Sequence, residues 1–145
     1  MSSSVAIPSG SFLRGGRWHY TAIMPIRINR RAFRDLVGEA ITDLPDQFAR
    51  AMENVAVVVE EEPTAEELES LGLDPEQDDL FGLYQGVPLP ERGPDAPVLP
   101  DRIAIYRLPI LWDCESREQV VAEVRTTVIH ELGHYFGLDE DELPP

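Results

Sequence analysis

The residues best suited to chemistry are His130, Glu131 and His134, in the run His130-Glu131-Leu132-Gly133-His134. This is the H-E-x-x-H spacing of zinc-binding helices. On an α-helix, residues four apart stand one above the other, so His130 and His134 can offer two imidazole nitrogens to one zinc ion. Glu131 is turned away by about 100°. From there its carboxylate reaches a water on the ion rather than the ion itself. That is the place of a general base, which takes the proton of a water that zinc has made acidic.

A helix must carry these groups, and the flanking residues predict one. Ser116 with Gln119 reads as a capping box, and Val120, Val121, Val124, Val128, Leu132 and Phe136 follow at helical spacing. Those six cover an arc of roughly 160°. Glu123, Thr127, His130 and His134 fall on the other side, so one face should enter a core and the opposite face should carry the histidines to a cleft. Gly137 can take the left-handed conformation that ends the helix.

A catalytic zinc needs a third protein ligand and one open position. Only eleven residues follow His134, too few for a glutamate on a separate downstream helix as in gluzincins. The spacing H-E-x-x-H-x-x-G-x-x-H/D of metzincins instead puts Glu140 in the third slot, with Asp139, Asp141 and Glu142 as competitors. The methionine turn that follows the motif in metzincins has no counterpart, because Met1, Met24 and Met52 all precede it.

The chain of 145 residues predicts one domain with a modest core, and 43% hydrophobic content suits a soluble globule. No apolar run approaches a membrane span, and Met1-Ser2-Ser3-Ser4 does not begin like a secretory signal. The single Cys114 excludes an internal disulfide; it reads as a small buried hydrophobe, and the whole pattern predicts a cytoplasmic protein. Net charge is −15, every basic residue is arginine, and six arginines (14, 17, 27, 30, 31 and 34) precede the first acid, Asp35. The acidic remainder would repel phosphate, which argues against nucleic acid as a partner.

Residues 1–20 are rich in Ser, Gly and Arg and read as a flexible basic tail, with 21–145 as the single domain. Residues 21–28 could form a short strand broken by Pro25. Asn29 should cap a helix carrying Phe33, Leu36, Val37, Ala40, Ile41 and Leu44, and a second short helix spans 47–52. Residues 55–59 (VAVVV) are the strongest strand, apolar enough to be buried on both faces. Thr64 and Glu67 box the start of a short acidic helix that stops at Gly72 and reads as simply solvated. A proline-rich loop over 74–101 contains a strand within 80–87, and a second strand over 103–108 is broken by Pro109.

Four stretches, NVAVVVEEEP (54–63), GLYQGVPLPERG (82–93), LPDRIAIYRLPI (99–110) and TTVIHELGHYFGLDEDEL (126–143), together resemble the bacterial family of minimal zincin-like metallopeptidases. The family motif H-E-x-x-H-x-x-G-x-x-D/E falls on His130, His134 and Glu140 as ligands and on Glu131 as base. The resemblance implies an α+β fold, with a short mixed sheet packed on a long C-terminal active-site helix and one or two N-terminal helices. It implies a zinc-dependent peptidase acting on peptides or proteins, with Tyr84, Tyr106 and Arg102 as candidates to bind the oxyanion. The rival reading is a metal-binding or peptide-binding module of the same fold with little or no turnover.

Overall fold

The computed structural model describes residues 26–94 and 101–138. The basic tail, most of the strand expected at 21–28, and the acidic turn with Glu140 lie outside these residues. Residues 26–28 form no strand.

The first element among the described residues is helix α1 (Arg30–Thr42), and the Asn29 side chain accepts a hydrogen bond from the Ala32 N–H at 2.8 Å. Its buried residues, Phe33, Leu36, Val37 and Ala40, form the stripe read from the sequence. Helix α2 (Asp46–Ala51) follows Pro45 and runs through a short 3₁₀ turn into strand β1 (Val55–Glu60). Helix α3 (Ala65–Ser70) starts with both halves of the Thr64/Glu67 capping box in place. It ends before Gly72, which sits at a φ of +75°. Strand β2 (Gly82–Gln85) is the ordered part of the run expected at 80–87.

Strand β3 (Asp101–Tyr106) is the middle of a three-stranded sheet in the order β1-β3-β2, parallel to β1 and antiparallel to β2. Its alternation therefore does not mark a wet face. Ile103 and Ile105 join the main core with α1, α2 and the last helix, whereas Ala104 and Tyr106 pack with Leu68, Leu80 and Leu83 on the α3 side. Strand β1 departs from expectation. Of its residues only Val55 is buried, and Ala56 is exposed. β1 is an edge strand among the described residues, so its apolar run is covered in part rather than on both faces.

The chain does not break at Pro109. It turns directly into helix α4 (Arg107–Trp112), with Pro109 in the first turn, where a missing N–H costs no intrahelical bond. Arg107 ties this turn to the end of β1 through Glu61 at 2.6 and 3.0 Å, holding the Glu61 carboxyl below its ordinary range. Cys114 is buried, as expected, and burial pushes its thiol up to about 12.

The last helix, α5 (Arg117–Tyr135), is capped by Ser116, whose Oγ accepts from the Gln119 N–H at 3.1 Å. The Gln119 side chain reaches one residue further back than a capping box requires and accepts from the Glu115 N–H at 2.6 Å. The helix closes as a Schellman motif: the Gly137 N–H bonds to the His134 carbonyl and the Leu138 N–H to the Gly133 carbonyl, at 3.0 and 2.9 Å, with Gly137 at a φ of +80°.

The two-faced picture of α5 holds only for its first half. From Thr127 to Tyr135 every residue is buried. Strand β2 packs against α5 at Thr127, on the side that helical periodicity assigned to an open cleft. Among the described residues, no helix is long and apolar enough to cross a membrane.

Candidate metal centre

Thr127 and Glu131 lie one turn apart on the face of α5 that meets β2. An added Cβ on Gly82 would stand 2.6 Å from Thr127 Cγ2 and 3.0 Å from the Ala104 carbonyl, so the helix and the strand approach this closely only at a glycine. That approach brings Glu131 to the strand edge. The Phe81 carbonyl accepts from the Tyr106 N–H at 2.9 Å. By the alternation of an antiparallel ladder, Gly82 and Tyr84 then turn their amides away from β3. The Tyr84 N–H goes to Glu131 Oε1 at 2.7 Å. A fully buried carboxylate is thus held by a charge-assisted bond from the sheet.

His130 and His134 are also buried, at 6% and 9% exposure, with ring centroids 5.2 Å apart and planes tilted by 62°. Both Nε2 atoms are enclosed in protein, as is Glu131 Oε2. Two imidazoles on successive turns beside an anchored carboxylate fit the donor chemistry of a zinc site with its base. Among the described residues no group of three or more His, Cys, Asp or Glu could share an ion. The third slot, Glu140, and its competitors Asp139, Asp141 and Glu142 lie outside those residues.

The three candidate oxyanion groups are all engaged elsewhere. The Tyr84 hydroxyl donates to Asp101 Oδ1 at 2.9 Å, and burial, reinforced by that carboxylate, raises its pKa well above the ordinary range. The Tyr106 hydroxyl donates to Glu67 at 2.9 Å, likewise raised by burial and then by Glu67. Glu67 therefore does more than face solvent: it caps α3 and pins that helix to β3. Arg102 bonds to Gln85 and Glu60.

Sequence reasoning passed over Arg92 and Asp101. Arg92 Nη2 lies 2.6 Å from both Asp101 oxygens, its Nε donates to the Val87 carbonyl at 2.7 Å, and its guanidinium stands 5.7 Å from the Tyr135 ring centroid. The pair holds the Arg92 pKa above its ordinary value. Gly86 leaves room for this network: an added Cβ would collide with Asp101 Oδ1 and stand 2.7 Å from the Tyr84 hydroxyl.

A two-histidine helix ending in a left-handed glycine, with its glutamate anchored to an edge strand of a mixed α+β sheet, is the arrangement of a zincin-type domain. The family described as zincin-like metallopeptidase matches residues 52–145, and the chain belongs to it. The match takes in all four stretches on which the resemblance rests and leaves α1 and α2 before it. No curated protein sequence matches the chain.

Proposed function

We propose that the protein is a zinc-dependent peptidase in which His130, His134 and Glu140 hold the ion and Glu131 is the general base. The observation that carries this reading is Glu131: fully buried between the two histidine turns and fixed through Oε1 by the Tyr84 amide. Burying a carboxylate costs free energy that an apolar residue would not. A helix built only to pack would not place one there. Zinc, when bound, supplies Lewis acidity toward a water and a carbonyl oxygen.

Glu131 supplies the proton traffic. With Oε1 held, Oε2 accepts the proton of the attacking water and returns it to the leaving amine nitrogen, so one carboxylate serves as base and then acid. The burial of every residue from Thr127 to Tyr135 limits the water around it. The substrate is a peptide or protein segment. A reducing cytoplasm suits the lone buried thiol of Cys114.

The test is a pair of isosteric variants. Glu131→Gln keeps shape but removes the proton acceptor, so zinc content should survive while hydrolysis of a diverse peptide library falls by about 10²-fold or more. Glu140→Gln should lose zinc first, because an amide is a poorer ligand than a carboxylate. Loss of zinc from Glu131→Gln with retention in Glu140→Gln would reverse the two roles. Zinc retention in wild type and both variants, with no cleavage by any of them, would instead make the protein a metal-binding or peptide-binding module.

A further inference from the structure

We propose that the Arg92–Asp101 ion pair is a positioning device for Glu131, acting through Tyr84; the inference rests on the reading of Glu131 as base. Asp101 is 4% exposed, and three hydrogen bonds from two donors converge on it: Arg92 Nη2 on both oxygens and the Tyr84 hydroxyl on Oδ1. A buried aspartate paired this fully orients what it touches. What it touches is a tyrosine held at both ends. The Tyr84 hydroxyl is tied to Asp101, its ring packs edge-on against Tyr135 at 6.1 Å, and its amide donates to Glu131. In a strand the side chain and the peptide plane turn together, so fixing the ring fixes the direction of the N–H.

The same loop grips the motif helix from its other end. An added Cβ on Gly137 would stand 2.5 Å from Pro90 Cγ, two residues before Arg92, and Arg92 itself covers Tyr135. Gly86 completes the device, since any larger residue would occupy the space between Asp101 and the Tyr84 hydroxyl. The described part of the β2–β3 loop thus contacts the end of α5 just after His134 while holding the strand that anchors Glu131. A general base displaced by about 1 Å loses about a hundredfold in rate, and the device removes that freedom.

The experiment compares Tyr84→Phe, which loses only the hydroxyl, with Asp101→Asn, in the full chain. Amide hydrogen exchange is followed at residue 84 in metal-free protein, and zinc affinity and turnover in loaded protein. Exchange at residue 84 should accelerate by about tenfold or more while the Ala104 and Tyr106 amides of β3 keep their protection. Zinc affinity should stay within about threefold, and kcat should fall by about tenfold or more with KM little changed. If Asp101→Asn does not fold, Tyr84→Phe decides alone. Unchanged exchange at residue 84, or equal acceleration throughout β3, overturns the proposal. If Glu131→Gln keeps wild-type turnover, the base assignment fails, while the exchange result still reports whether Asp101 positions the amide.

Discussion

Helices α1 and α5 pack against each other, yet they are built on different rules. In α1, burial follows hydrophobicity: Phe33, Leu36, Val37 and Ala40 are inside, and Arg31, Arg34, Asp35 and Glu39 are outside. The first half of α5 obeys the same rule through Val120 and Val124. The second half does not, because Thr127, His130, Glu131 and His134 are buried along with Val128 and Leu132. Where polarity and burial coincide, packing alone is an insufficient reason for the residue. α1 is a helix that the core requires, and the second half of α5 is a helix that the core encloses for what it carries.

The sharpest way to break this comparison is to delete a histidine. His130→Ala should lower zinc retention by about 10²-fold or more, since one of the three proposed ligands is removed. It should leave the far-UV helical signal of the metal-free protein intact. Metal analysis after dialysis gives the answer, and equal zinc in wild type and variant would remove the reason for treating α5 as different from α1.

Next in size is the contact that lets α5 approach the sheet. Gly82→Ala forces a methyl against Thr127 Cγ2 and the Ala104 carbonyl, and overpacking of this kind costs about 1–3 kcal/mol. Adding Thr127→Ser removes the opposing methyl and keeps the hydroxyl that bonds Glu123, so the double variant should recover a substantial part of the loss in urea denaturation. Additive losses would mean that the helix does not rest on Gly82.

These two variants also mark what the sequence could reveal. The histidine spacing, the Asn29 and Ser116 caps, the Thr64/Glu67 box and the Gly137 stop are local patterns, set by neighbours within four residues, and the structure contains each of them. Misread features were those decided at long range. Residues 55–59 look doubly buried because they are β-branched, but sheet order put them at an edge. Pro109 looked like a strand breaker because its position three residues into a helix was set by where β3 ends. The Tyr84–Glu131 bond joins residues 47 apart, and nothing local in either segment announces it. The family resemblance carried the fold, whereas the Arg92–Asp101–Tyr84 network was visible only in three dimensions.

The two rules meet on α5 at Glu123, one turn before Thr127. Burial, then Asp113, raises its pKa to about 7, against a small opposing effect of the Thr127 hydroxyl; the Cys114 thiol lies in the same neighbourhood. The folded carboxyl binds its proton more tightly than the unfolded one, whose ordinary value is 4.5. The native state therefore holds more protons between about 4.5 and 7, and stability falls as pH rises through that window. Glu123→Gln should remove this loss, making the variant more stable than wild type at pH near 8 by on the order of 1 kcal/mol, with no advantage near pH 4. A pH-independent difference would mean that the carboxyl is not the source.

The smallest effect is expected on the ordinary helix, and its sign is opposite to that at Gly82. Gly38 lies inside α1 on its exposed side, and an added Cβ would meet nothing within 4 Å. Its φ is not positive, so alanine needs no strained backbone there. The Thr42 hydroxyl bonds to the Gly38 carbonyl at 2.9 Å, a main-chain acceptor that the substitution leaves in place. What changes is the unfolded chain, which loses the extra freedom of glycine, and the helix should gain about 0.5–1 kcal/mol. For a domain of this size that raises Tm by about 1–4 °C, with zinc content and turnover unaltered. A lower Tm for Gly38→Ala would place this side of α1 in a contact, and α1 would then share with α5 the property that now separates them.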